Sequence, residues 1–352
     1  MKNHANAMIF HTTICAEASQ IVLMHSRENA KHISRRASFA GATEMEVRMS
    51  HILEVNFAGV SFPNPVTTAS GTFGSGLEYS EFVNLERLGA VTTKGVANVP
   101  WPGNPTPRIV ETHGGMLNAI GLQNPGIDTL IERDLPYLHE KGARIIVNVC
   151  GRSKEDYVEV VERLSEEKVD MLEINISCPN VKAGGIAFGQ KPEMAEDITK
   201  AVKAVAKQPV IMKLSPNVTD ITEMARAVEA GGADGVSLIN TITGMKIDVN
   251  RKTFAIANQT GGMSGPCVKP VAVRMVYQVA NAVKIPILGM GGIQNTEDAL
   301  EFLMAGATMV AVGTANFFNP CVTSEIIDGL EAYAEREGLG SIVDIVGCVK
   351  NP

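Results

Sequence analysis

The residues able to do chemistry are unevenly placed in this chain of 352 residues. Six cysteines are present: Cys15, Cys150, Cys178, Cys267, Cys321 and Cys348. No two are spaced as CxxC, so neither a zinc site nor an iron–sulfur cluster finds its ligand pattern, and no metal site is expected. Scattered single thiols fit a reducing, cytoplasmic setting. Cys178 stands apart from the others. It leaves the apolar run MLEINISCP (171–179), precedes Pro179, and is followed by the Gly-rich stretch NVKAGGIAFGQK (180–191). Such a thiol is either a buried, inert side chain or, beside a lysine ammonium, a thiolate able to take a proton. No histidine follows His139, so the later strand ends offer no imidazole for that task. Glu173 alternates with Asn175 and has no second carboxylate at a strand end, which leaves a two-carboxylate hydrolase unsupported.

Other polar residues share the position of Cys178 at the ends of apolar runs: Ser70, Lys94, Asn148, Asn175, Lys213, Asn240, Thr241 and Thr314. The last two runs end at Gly291–Gly292 and at Gly313–Thr314. Backbone N–H groups at such turns can cradle a phosphate, helped by a following helix N-terminus. Tight turns alone would use the same residues.

The runs that position these residues are VTTASG (66–71), AVTTKGV (90–96), RIIVNVCG (144–151) and MLEINISCP (171–179), then VIMKLSP (210–216), GVSLINT (235–241), PILGMGG (286–292) and MVAVGTA (309–315). Near-continuous hydrophobicity marks strands buried on both faces, as in a parallel sheet. Amphipathic stretches lie between them. Segments 153–166 and 219–230 each open with a Ser or Thr as expected cap, followed by acidic residues. Eight such units predict an α/β fold, a (β/α)8 TIM barrel, whose catalytic residues sit at the C-terminal strand ends. An open doubly wound sheet is the alternative, but GTFGSG (71–76) does not match G-x-G-x-x-G in register. Residues 97–125 carry five prolines (Pro100, Pro102, Pro105, Pro107 and Pro125) and exceed a normal βα connection. They read as a folded insertion covering the barrel mouth. Residues 180–191 read as a lid.

Hydrophobic residues make up 45% and charged residues 20% of the chain, which is the balance of a globular enzyme with a large core. A net charge of -7, with no basic stripe and few aromatics, excludes nucleic acid as the expected partner. No run approaches the ~18 apolar residues that span a bilayer. Residues 1–48 hold His4, His11, His25 and His32 and show no strand–helix alternation. They read as a disordered tail, or as sequence upstream of a start at Met49. A targeting peptide is the sharper reading, opposed by Glu17, Glu28, Glu44 and Glu46. Residues 49–352 read as the catalytic barrel.

The stretches NISCPN (175–180), LNAIGLQNPG (117–126), TTKGV (92–96), IMKLSPN (211–217) and LGMGGI (288–293), in this order, resemble the class 1 dihydroorotate dehydrogenases from about residue 52 to 349. The resemblance implies FMN across the barrel mouth. It implies flavin contacts from Ser70, Lys94, Gly95, Asn148, Asn175, Lys213, Ile239, Gly265, Gly291, Gly292, Gly313 and Thr314. It implies dihydroorotate or orotate contacts from Lys94, Asn118, Ala119, Ile120, Gly121, Leu122, Asn175, Asn180, Asn240 and Thr241, with Cys178 as catalytic base. Class 2 enzymes of this kind have Ser in place of Cys178 and an N-terminal membrane helix, so class 1 is the better match. ASGTFGSGLEY (69–79), NPTPRIVET (104–112) and GGMSGP (261–266) are more similar to the NAD-linked class 1B form. That form implies a homodimer core within a heterotetramer, with FAD and a 2Fe–2S cluster on two electron-transfer subunits. A fumarate-dependent class 1A enzyme and the flavin domain of dihydropyrimidine dehydrogenase are the neighbouring alternatives; the latter family has His where this chain has Asn180. A barrel that binds a phosphorylated ligand without redox work is the non-enzymatic one.

Overall fold

Eight of the apolar runs form parallel strands: β1 (Val66–Thr68), β2 (Val91–Thr92), β3 (Ile145–Val149), β4 (Met171–Asn175), β5 (Val210–Lys213), β6 (Gly235–Leu238), β7 (Ile287–Met290) and β8 (Met309–Val312). This is a computed structural model, and it describes residues 51–177 and 188–350. Cys178, Asn180 and most of the expected lid lie outside the described residues, as do residues 1–50. The strand order is β1–β8–β7–β6–β5–β4–β3–β2, so each strand lies beside its sequence neighbours. Every residue of these strands is buried, which is why their sequences are nearly all apolar rather than alternating.

The sheet closes between β1 and β2 through a thin seam. Thr67 bridges Ala90 in parallel. The Thr92 N–H donates to Thr68 Oγ1 (3.0 Å), so a side-chain oxygen stands in for a ladder carbonyl. Gly89 N–H donates to Val66 O (2.8 Å). Here the missing side chain matters. A Cβ on Gly89 would lie 2.4 Å from Asn64 O and 2.7 Å from Val66 O.

The observed strands are shorter than the sequence runs that announced them. β1, for example, ends at Thr68, not at residue 71. The residues beyond each end leave the ladder to form the rim. Helices α1 (Leu135–Glu140), α2 (Lys154–Leu164), α3 (Pro192–Lys203), α4 (Ile221–Ala230), α5 (Lys269–Ala280), α6 (Thr296–Met304) and α7 (Val322–Glu337) follow β2 to β8 in turn. Between β1 and β2 only two single 3-10 turns occur, at Tyr79–Glu81 and Leu85–Arg87. In α2, Tyr157, Val160, Val161 and Leu164 are buried, the stripe that a 3.6-residue period places on one face. Its start is a capping box between Ser153 and Asp156, as expected. α4 differs from expectation. Its cap is Asp220, whose carboxylate accepts from Thr222 N, and Thr219 lies outside the helix.

A hairpin of Val55–Phe57 and Val60–Phe62, turning at Ala58–Gly59 with positive φ at both, precedes the barrel. Its Phe57 and Phe62 are buried. Phe57 reaches the first residue of β6, where a Cβ on Gly235 would lie 3.0 Å from its ring. The hairpin therefore packs at the N-terminal end of the barrel, opposite the rim. At the rim stands a four-stranded antiparallel sheet. Its strands, in order, are Ile242–Met245, Thr260–Ser264, Gly115–Asn118 and Ile109–Thr112. The expected insertion at 97–125 thus supplies half of the cap. The other half comes from the β6–α5 connection, which the sequence reading passed over because its Gly-rich strands carry no apolar alternation. No helix among the described residues is long and apolar enough to cross a membrane.

Gly89→Ala should cost about 3 kcal/mol or more by forcing the seam apart. Urea denaturation measures this, and an unchanged midpoint would show that the seam tolerates a side chain.

Candidate active site

The C-terminal ends of the strands enclose a cavity of about 400 Å³ under the cap sheet, within the size range of small-molecule and cofactor sites. Of the residues expected to contact ligands, Ser70, Lys94, Asn118, Ile120, Gly121, Leu122, Asn175, Lys213, Ile239, Asn240, Thr241, Gly265, Gly291, Gly292, Gly313 and Thr314 line it. Three others stand behind the wall. Ala119 is fully buried, and its N–H donates to Arg108 O (2.8 Å). Gly95 packs on Asn148, whose Oδ1 would lie 2.6 Å from a Cβ on Gly95. Asn148 is itself fully buried.

The floor is a polar network that the sequence only hinted at. Glu173, central in β4 and fully buried, is paired in register with Asn148 on β3. Its Oε2 accepts from Asn148 Nδ2 and from Lys213 Nζ (3.4 Å). Its Oε1 accepts from Ser237 Oγ (2.7 Å). One carboxylate thus ties β3, β5 and β6 to β4. Because Asn148 gives its amide N–H to Glu173, its Oδ1 is left to accept from Asn175 Nδ2 (3.4 Å). That in turn leaves Asn175 Oδ1 to accept from Ser177 Oγ (3.0 Å) and Asn240 Nδ2 (3.5 Å). The Tyr157 hydroxyl on α2 anchors the Asn175 carbonyl (2.8 Å). The orientation of each rim amide is therefore fixed from below, starting at Glu173.

Lys94, Arg108 and Lys213 are the charged residues of the described wall, and no carboxylate reaches it. The cavity is thus electrostatically suited to an anion. Arg108 was missed by the sequence reading. Its Pro-rich setting, PTPR, shows no periodicity, and the cap strand it precedes places it on the wall.

At one end the wall is glycine backbone. Gly265, Gly291 and Gly292 have φ of 102, 131 and 88°. A Cβ on Gly292 would lie 2.9 Å from Gly265 O and 3.0 Å from Lys269 N, so the two loops meet only because side chains are absent. Asp298 holds the pair of loops together: it accepts from Lys269 Nζ (2.6 Å) and from Gln294 N (2.8 Å). Burial works against the Lys269 charge, but its bonds to Asp298 and Glu301 hold the ammonium above the ordinary lysine value. Thr314 Oγ1 donates to Ser264 Oγ (2.8 Å) nearby. The segment after Gly313 is a single 3-10 turn, Thr314–Phe317, and the α-helix that follows, α7, starts only at Val322. Apolar Ile239, Val268, Met290 and Ala311 line the space between this end and the polar floor.

The opposite wall is the loop 119–124, built on Asn124. This buried amide accepts from Ala97 N (3.2 Å) and Gly126 N (3.0 Å) and donates to Leu122 O (2.8 Å). It thereby holds Leu122 at a φ of 53°, a left-handed conformation uncommon for a bulky residue. Trp101, Cys150 and Ala97 pack beneath Leu122.

A closed (β/α)8 barrel with a cationic, glycine-walled cavity at its C-terminal face defines a barrel enzyme class that takes an anionic ligand. The family model for dihydroorotate dehydrogenase matches residues 52–333. The chain is 72% identical over 296 residues to the catalytic subunit of dihydroorotate dehydrogenase B (NAD(+)) from Lachnoclostridium phytofermentans, covering 84% of this chain and 99% of that protein. It is 61% identical over 295 residues to the protein of the same name from Alkaliphilus metalliredigens, covering 84% and 98%. A third of that name, from Geobacter sulfurreducens, is 54% identical over 299 residues, covering 85% and 98%. The chain belongs to the dihydroorotate dehydrogenase family.

The donor set fits the FMN that this family implies. Glycine N–H groups and the Thr314 and Ser264 hydroxyls suit a phosphate, the apolar stretch suits a flat ring, and Lys213 with the amides suits a polar ring edge.

Asn124→Ala would leave Ala97 N, Gly126 N and Leu122 O without their partner and should cost about 3 kcal/mol. Hydrogen exchange should then rise in residues 119–126 before the barrel strands. Exchange confined to its present level would show that Asn124 does not hold this wall.

Proposed function

We propose that this chain is the catalytic subunit of an NAD-linked dihydroorotate dehydrogenase, oxidising (S)-dihydroorotate to orotate in de novo pyrimidine (UMP) synthesis. The observation that carries the reading is the wall that joins three cations, a set of asparagine amides and a glycine cradle with no carboxylate. FMN, when bound, supplies the hydride acceptor. Gly265, Gly291, Gly292, Gly313 and Thr314 hold its phosphate. Ser70, Lys94, Asn175, Lys213 and Ile239 meet the rest of it, with Gly95 and Asn148 supporting from behind.

The substrate is a carboxylated cyclic imide. Asn118, Asn175, Asn240 and Thr241 both donate to and accept from its ring amides, and Lys94 offers charge to its carboxylate. Ile120, Gly121 and Leu122 shape the remaining side, with Ala119 fixing that loop. Cys178 takes the C5 proton and Asn180 reaches the substrate. Both belong to NISCPN (175–180), and the likeness of that stretch to the family supports these roles; they lie outside the described residues. Lys213 favours negative charge at the cofactor's polar edge as it is reduced.

Electrons leave through a partner. The relatives named above are catalytic subunits of NAD(+) enzymes, which favours this form over the fumarate-dependent one. The chain itself carries no dinucleotide fingerprint and no cluster ligands. The partner bears FAD and a 2Fe–2S cluster, in a heterotetramer of two catalytic and two electron-transfer chains around a catalytic homodimer. Chain purified alone should bleach bound FMN with dihydroorotate yet reduce NAD only when the partner is added. Rapid fumarate reduction by the chain alone would point to the other acceptor.

Cys178→Ser should retain FMN but slow its reduction by dihydroorotate about 100-fold or more at neutral pH, because a hydroxyl is a far weaker base than a thiolate. Stopped-flow absorbance reads the rate, and an unchanged rate removes Cys178 from the role. Gly292→Ala should weaken FMN binding at least tenfold, since the new Cβ meets Gly265 O and Lys269 N across the cradle. Titration of apoprotein with FMN tests this, and equal affinity would place the phosphate elsewhere.

A further inference from the structure

We infer that Glu173 sets the reduction potential of the bound flavin by acting as the buried counter-charge to Lys213. The inference rests on the flavin reading above and adds a residue that touches neither cofactor nor substrate. Lys213 lines the cavity, with its side chain 5% exposed. Glu173 lies one layer below, fully buried, 3.4 Å from Lys213 Nζ. It does not reach the wall.

Holding strands together does not require a charge at this position. Asn148 and Ser237 are neutral partners: a glutamine in the same pose would keep its oxygen for Asn148 and turn its NH2 to the Ser237 hydroxyl, which can accept. Burying a carboxylate and an ammonium together gives no net stability over well-packed neutral residues. What the pair fixes is local charge. With Glu173 in place the floor is neutral, and the cavity sees a lysine whose field is largely cancelled at a distance. Without it, the floor carries one uncompensated positive charge in a region of low dielectric. Reduction adds negative charge to the cofactor, so the reduced form responds to that field more than the oxidised form does. Glu173 therefore holds the potential down, acting as a positioning and tuning residue through Lys213. Its bonds to Asn148 and Ser237 fix the carboxylate below the lysine and so fix the size of the effect.

The test is the midpoint potential of FMN in the intact holoprotein, measured by spectroscopic titration against reference dyes. Glu173→Gln should bind oxidised FMN as the unaltered protein does and the reduced form about tenfold more tightly. For a two-electron couple that is a rise of about 30 mV. Glu173→Asp keeps the charge and should stay near the original potential, which a role in packing alone would not predict. If Glu173→Gln does not fold, Lys213→Met is compared with the Lys213→Met/Glu173→Gln double variant. The double variant, free of the lone buried carboxylate, should have the higher potential. An unchanged or lowered potential in Glu173→Gln, or equal potentials in the second pair, overturns the inference while leaving the flavin reading intact. A protein that takes up no FMN overturns the flavin reading, and this inference with it.

Discussion

Closure of the barrel rests on the contact between β1 and β2, where few backbone bonds are available. β1 has a full register with β8 on one side, Val310 to Val312 against Val66 to Thr68. On the other side it has one bridge and a set of substitutes: Thr68 Oγ1, the Gly89 N–H and the Asn64 side chain, which donates to Arg87 O (2.8 Å). β2 is only two residues long. Because the seam holds, Lys94 and Ser70 arrive at the same rim as Lys213 and Gly292, which belong to strands on other sides of the ring. An open sheet of the same eight strands would place β1 and β2 at opposite edges. The cavity would then have no wall where those residues now stand.

Within the closed ring, charge is arranged in layers. The wall carries Lys94, Arg108 and Lys213, and the layer beneath carries Glu173. Each amide between them has its orientation set by a neighbour, from Asn148 through Asn175 to Asn240. A polar floor of this kind is pre-organised, because its dipoles are held by bonds that do not involve the ligand.

The barrel was legible in the sequence because strands buried on both faces must be apolar throughout, and eight such runs with helical stretches between them leave few folds. Strand-end polar residues such as Lys94, Asn175 and Lys213 were legible for the same reason: they interrupt runs that are otherwise apolar. Glu173 was visible as an interruption, but its partners Asn148, Ser237 and Lys213 lie on other strands, and only the register brings them together. The second half of the cap was not legible. Thr260–Ser264 is TGGMS, short and glycine-rich, and it becomes a strand by pairing with Met116 to Asn118. Arg108 and Asn124 escaped notice likewise, since loops show no periodicity that would rank one polar residue above another.

The cap sheet has one more consequence. Asn118 and Gly262, which bond across it, are 144 residues apart, and its outer strands alternate between exposed and half-buried residues. The barrel strands beneath are buried throughout. Regions with little buried apolar surface open at lower free energy than the core around them. The roof of the cavity buries less apolar surface than the barrel below it, and it is made of two excursions distinct from the strands carrying Glu173 and Lys213. The roof of the cavity and the hydrogen-bonded floor beneath it are thus built by different parts of one chain, the first from two excursions and the second from the barrel strands themselves.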